Sequence, residues 1–157
     1  MVTMHRQDDL LHDMREELHD LTHFSEITAD RKGRLTLWLT FIALPLVWGV
    51  DMIFDLMGVA WEAHVATWAN DAFPGTASDL ILWVGVVMVA LAACVAVAPH
   101  IGGDLLGLAI ALLAVNLMWV DGAAHLVFGM IALALCCFAM ARMAHGDRER
   151  EVAPPLA

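Results

Sequence analysis

Two pairs of residues have the types and spacing to do chemistry. Asp51 and Asp55 are four residues apart, and so are Asp121 and His125. On a helix that spacing puts both side chains of a pair on one face. Carboxylates beside a membrane are candidates for ion or proton handling, because burying them costs free energy unless something partners them. A divalent cation needs several oxygen or imidazole ligands that converge. Asp51, Asp55, Asp121 and His125 are therefore the candidate set for a metal or proton site. Glu62, Asp71, Asp79 and His64 lie in the same region of the chain. Asp71 and Asp79 also suit a plainer role as helix caps or as acids in headgroup water.

The first thirty residues carry a second constellation. His5, His12, His19 and His23 fall on one helical stripe beside Glu16, a set able to hold zinc or to form a solvated polar face. Leu11, Met14, Leu18 and Leu21 fall at helical spacing on another side, with Asp9, Asp13, Glu16, Glu17 and Asp20 on the polar face. Helices that lie on lipid normally carry Lys and Arg there. An acidic polar face predicts docking on a protein instead, with Leu11, Met14, Leu18 and Leu21 as the partner-binding stripe.

Other chemistries find no pattern. Haem held between helices needs two deep His on facing spans, whereas His100 and His125 are expected at opposite ends. Cys94, Cys136 and Cys137 have neither CxxC nor zinc-like spacing and read as apolar packing residues. Nucleophile motifs, phosphate loops and dinucleotide fingerprints are absent from the sequence. No cofactor is predicted.

The elements that must position these residues follow from the charge pattern. All eight Lys and Arg lie at the two ends: Arg6, Arg15, Arg31, Lys32 and Arg34, then Arg142, Arg148 and Arg150. From Leu35 to Ala141 there is none, and 61% of the chain is hydrophobic. Cations collect on the cytoplasmic side of a multi-pass protein, so the pattern predicts an even number of spans with both termini cytoplasmic. The net charge of −10 makes nucleic acid a poor partner. The charged start lacks the apolar run of a cleavable signal, so the first span is expected to direct insertion.

The predicted fold class is an all-α integral membrane protein. It is a four-helix transmembrane bundle with an amphipathic N-terminal cytoplasmic helix and a short outer interfacial helix. Residues 1–34 form the acidic helix and basic juxtamembrane segment, 35–143 the transmembrane domain and 144–157 a cytoplasmic tail. The spans are expected near Leu35–Met57, Leu80–Ala98, Leu105–Val120 and Ala123–Met143, each close to the ~20 residues a bilayer requires. Val59–Ala72, with Trp61, Val65, Trp68 and Ala72 on one stripe, is expected as the outer helix. Thr76 or Ser78 caps the second span. Pro99 to Asp104 is expected as a tight inner loop with Asp104 as a cap, and Asp121-Gly122 as an outer turn.

The spans resemble a group of small bacterial four-helix membrane proteins, the DoxX-like family, over about residues 39–143. The likeness is carried by Pro45 to Asp51 (PLVWGVD), Trp61, Phe73-Pro74-Gly75, Pro99 to Gly103 (PHIGG), Asn116-Leu117, Phe128-Gly129 and Ala139 to Arg142. The family pattern has Asp-Lys in the first span, Glu in the second and Arg-Asp before the Phe-Gly of the fourth. Here Asp51 matches, Met52 stands for the Lys, Met88 falls near the Glu, and Leu126-Val127 replace the Arg-Asp. The resemblance implies a bacterial plasma (inner) membrane location and a loose link to respiratory quinone and thiosulfate oxidation. The loss of the charged interior favours a non-catalytic accessory or assembly subunit of a larger membrane complex, a respiratory one being the case considered. Its partners are then other integral membrane proteins and the lipid bilayer. Two alternatives follow from the same residues: a small redox or quinone-linked membrane component, and a metal or proton transporter.

Overall fold

The computed structural model describes residues 29–152, with side chains described for residues 31–145. The expected N-terminal helix and its stripe of Leu11, Met14, Leu18 and Leu21 lie outside the described residues. Five α-helices and one short 3-10 turn follow one another: α1 (Ala29–Phe54), the turn Trp61–His64, α2 (Thr67–Ala72), α3 (Ala77–Val97), α4 (Pro99–Leu117) and α5 (Ala124–Val152). No strand occurs among the described residues. Four of the helices are long and apolar enough to cross a membrane, and between 28% and 39% of each apolar window is buried within the chain. Much of the remainder is exposed apolar surface, including Trp83, Leu108, Leu112 and Leu135. Hydrocarbon is the solvent that suits such a surface.

The four long helices run antiparallel in sequence order, packed as two close pairs, α1 with α3 and α4 with α5, joined through α3 and α4. A core of Leu35, Trp38, Phe41, Met88, Val95, Leu106, Ile110, Cys137 and Met140 fills the centre and the end where the cations lie. A smaller cluster of Leu117, Ala123 and Val127 closes the opposite, acidic end.

Glycines set the close approaches. A Cβ on Gly49 would lie 2.7 Å from the Gly85 carbonyl oxygen, and one on Gly85 would lie 2.8 Å from that of Gly49. The two helices therefore touch backbone to backbone, as small residues permit in membranes. The same reason corrects the expected inner loop at Pro99 to Asp104. These residues are the first turns of α4, and Ala98 alone separates it from α3. Pro99 sits at a helix start, where its missing N–H has no intrahelical partner to lose. Gly102 and Gly103 are buried against Cys94, Val95, Met140 and Ala141, so they serve packing and not a turn. Asp104 lies within α4, exposed, and caps nothing.

Other boundaries shift less. The basic cluster Arg31, Lys32 and Arg34 belongs to α1 itself. Thr76 caps α3: its hydroxyl accepts the Asp79 N–H, and the Asp79 carboxylate accepts the Thr76 N–H at 2.9 Å, a reciprocal box. The Asp121-Gly122 turn is present, with Gly122 at φ 80°. α5 continues past Met143 to Val152. The segment Val59–Ala72 is not one helix but the turn Trp61–His64 and α2, separated by extended residues Val65 and Ala66.

Gly49→Ala should lower the thermal unfolding temperature in mild detergent, because overpacking costs ~1–3 kcal/mol. Gly129→Ala should leave it unchanged or raise it, since nothing lies within 4 Å of that Cβ and Ala is the better helix former by about 1 kcal/mol. Equal responses would contradict the backbone contact.

Candidate functional site

Asp51 is the one buried charged side chain among the described residues, at 1% exposure. It lies in the last turn of α1, where the helix dipole disfavours a carboxylate. Two donors offset this. One carboxylate oxygen, Oδ1, accepts the Met57 backbone N–H at 2.6 Å, and the other, Oδ2, accepts the Trp61 indole Nε1–H at 2.7 Å. Both bonds fall in the short range of charge-assisted hydrogen bonds. The carboxylate thus folds the chain after α1 back over the end of its own helix.

Asp55 makes that reversal possible by another route. It adopts φ 50°, and its N–H bonds to the Asp51 carbonyl oxygen at 2.7 Å. This is the left-handed residue that ends many helices, a conformation Asp tolerates better than most. The helix stops at Phe54, so the helical spacing assumed for Asp51 and Asp55 does not hold at Asp55. Asp51 turns into the protein and Asp55 is exposed.

Asn116, near the end of α4, holds the next part of the same segment. Its Nδ2 donates to the His64 carbonyl oxygen at 2.6 Å, and its Oδ1 accepts the Ala66 N–H at 3.0 Å. One amide thus pairs with an extended strip of backbone on both its acceptor and donor sides. This pairing keeps Val65 and Ala66 extended and is why the expected interfacial helix is divided. Ala66 is buried beneath it. The sequence carried one signal for this residue, a polar amide inside an apolar helix; its double contact needed the fold.

A third polar side chain works at the basic end. The Trp38 indole donates to the Val95 carbonyl oxygen at 3.1 Å. In a continuous helix that carbonyl would accept the N–H four residues on, but that position is Pro99, which has no N–H.

Asp121 and His125 are exposed, and His125 Nδ1 lies 2.9 Å from the Gly122 carbonyl oxygen. His64 Nδ1 lies 3.2 Å from the Ala60 carbonyl oxygen. No group of three or more His, Cys, Asp or Glu able to hold a metal ion occurs among the described residues. Asp51, Asp55, Asp121 and His125 are therefore not brought together as a ligand set: the first is committed to Met57 and Trp61, and the other three face outward. Cys94, Cys136 and Cys137 are free thiols, the last one buried.

Compared with protein-family models, with curated proteins and with solved structures, the chain gives no match.

Removing either end of these bonds should loosen the segment between Asp55 and Ala66. Asp51→Asn and Asn116→Leu should each cost ~1–3 kcal/mol, the penalty for leaving buried polar groups unpaired. Trp61→Phe should cost a similar amount by leaving one Asp51 oxygen without its donor. Asp55→Asn and Asp71→Asn should cost little. Urea or thermal unfolding in detergent measures the order, and faster proteolysis between residues 55 and 66 locates the change. Equal, negligible effects at Asp51 and Asp71 would contradict it.

Proposed function

We propose that this chain is a non-catalytic accessory or assembly subunit of a larger protein complex in a bacterial plasma membrane. It crosses four times with both termini in the cytoplasm. The observation that carries the reading is where the polar side chains of the spans go. Trp38, Asp51 and Asn116 bond the chain's own backbone. The outer faces of the four helices are apolar and open, as lateral packing against other membrane helices requires. Such a bundle offers a partner surface and a defined shape.

Orientation rests on the cations. Arg31, Lys32, Arg34 and Arg142 lie at one end of the bundle, and Asp55, Glu62, Asp71, Asp79 and Asp121 at the other. The positive-inside bias then puts the basic end in the cytoplasm. The proposed architecture is DoxX-like with its charged interior replaced by apolar residues: Met88 lies in the core, and Met52 packs against Gly85. A respiratory complex is the setting that this likeness favours. The stripe Leu11, Met14, Leu18 and Leu21 completes the proposal as a cytoplasmic contact with a protein partner.

Purification from the native membrane in mild detergent should yield a species migrating well above the monomer, with a stoichiometric integral-membrane partner. Deleting residues 2–24 should leave insertion intact and weaken that co-purification, more so at high salt, where charge contacts are screened. Recovery of monomer alone from gently solubilised membranes would overturn the reading.

The topology has its own check. In a background lacking the three native cysteines, Ala72→Cys should react with an impermeant thiol reagent from outside intact cells, and Thr3→Cys should not. Reversed labelling would invert the orientation.

A further inference from the structure

The stretch between α1 and α3 is held by polar bonds and not by burial. From residue 55 to residue 76 Ala66 alone is buried, and Leu56 and Met57 are 70% and 55% exposed. Apolar burial therefore does little to fix it. Its own backbone bonds tie it to itself: the Trp61 N–H donates to the Val59 carbonyl oxygen, that of Val65 to Glu62 and that of Asn70 to Ala66. Past the turn at Asp55, its hydrogen bonds to the long helices end on two side chains among the described residues. The Asp51 carboxylate takes the Met57 N–H and the Trp61 indole, and the Asn116 amide takes the His64 carbonyl oxygen and the Ala66 N–H. The turn Trp61–His64 also packs on α3. One group opposes closure. Asn70 Oδ1 is buried with no hydrogen-bond partner among the described residues, a cost that water removes once the stretch lifts.

We infer that residues 56–72 form a strap with two latches, Asp51 and Asn116, that lifts as one unit from the acidic end of an intact bundle. The bundle does not depend on it. α1 meets α3 through Gly49 and Gly85, α4 meets α5 through Gly103 and Gly107, and neither core cluster contains a strap residue. The two latches are not independent of each other. Trp61, held by Asp51, and His64, held by Asn116, are the two ends of one 3-10 turn. Raising one end of that turn pulls on the bond at the other. Turns at Asp55 and at Phe73-Pro74-Gly75 flank the strap and serve as its pivots. Under the closed strap Asp51 is 1% exposed. In the lifted state its carboxylate has lost both donors and meets the solution, so the strap decides when this buried charge is accessible. Segments that open this way are drawn from the least stable parts of a fold. The inference is independent of the accessory role proposed above.

The test is amide hydrogen exchange followed by NMR on the full-length protein in detergent. Amides exposed by one opening share one opening equilibrium. The Met57 and Ala66 N–H groups belong to different latches, so in the unmodified protein they should report the same equilibrium constant. That constant should exceed those of core amides in α3 and α5 by at least about a hundredfold. Asn116→Leu should raise exchange at Met57, which Asn116 does not touch, by at least about tenfold, and Trp61→Phe should do the same at Ala66, as coupled sites require. Unchanged α3 and α5 amides in each variant verify that the bundle is intact. Should a variant fail to fold, the comparison in the unmodified protein decides. Distinct opening constants at Met57 and Ala66, exchange at both as slow as in the bundle core, or folded variants that each loosen only their own latch would overturn the strap.

Discussion

Inside an apolar bundle every backbone N–H and C=O must find a partner, and water is not there to supply one. Helices meet this demand along their length and fail it where they stop. In this protein Trp38, Asp51 and Asn116 stand at those failures. Pro99 starts α4 but leaves the Val95 carbonyl without its helical donor, and the Trp38 indole supplies one. α1 ends at Phe54, and the Asp51 carboxylate takes up the N–H of Met57 beyond it. Val65 and Ala66 are extended, and Asn116 pairs with the backbone on either side of Val65, at the His64 carbonyl and the Ala66 N–H. These side chains let the chain reverse direction with those particular backbone groups paired.

This division of labour decides how the acids are to be understood. A buried carboxylate commonly signals ion or proton handling. Asp51 shows how a structural duty produces the same burial: its two oxygens accept two N–H donors and hold the segment that returns over α1. Asp55 ends the helix through its left-handed backbone, and Asp79 completes the cap of α3. Each acid has a distinct backbone task, and none of these tasks needs a second acid beside it.

Packing is uneven around the bundle. α1 meets α3 through Gly49 and Gly85, and α4 meets α5 through Gly103 and Gly107. α1 and α5 also touch, more sparingly than either close pair. The molecule is thus two glycine-seamed pairs, linked along the chain by the single residue Ala98 and in space by the packing of α3 on α4. Large apolar side chains such as Phe54, Trp119 and Phe128 stay outside these seams, at 66%, 72% and 79% exposure. Such side chains can meet lipid or another membrane helix at little cost, which is the physical basis of the assembly role we propose.

The sequence by itself determined the all-α class, four helices long and apolar enough to cross a membrane, and two of the local turn features. Apolar run length and the confinement of Lys and Arg to the ends are properties of composition along the chain, and they need no tertiary contact to be legible. The Thr76 cap and the Asp121-Gly122 turn are equally local. The sequence misled where one residue type serves two ends. Gly102 and Gly103 beside Pro99 have the composition of a loop, yet they begin a helix, because α3 and α5 press against them. Asp51 and Asp55 have the spacing of a shared helix face, yet the helix ends between them, because Asp55 turns left-handed and Asp51 is drawn to Trp61. The partners of Trp38 and Asn116 lie dozens of residues away along the chain. Only the antiparallel packing of the helices decides which of those distant groups meet.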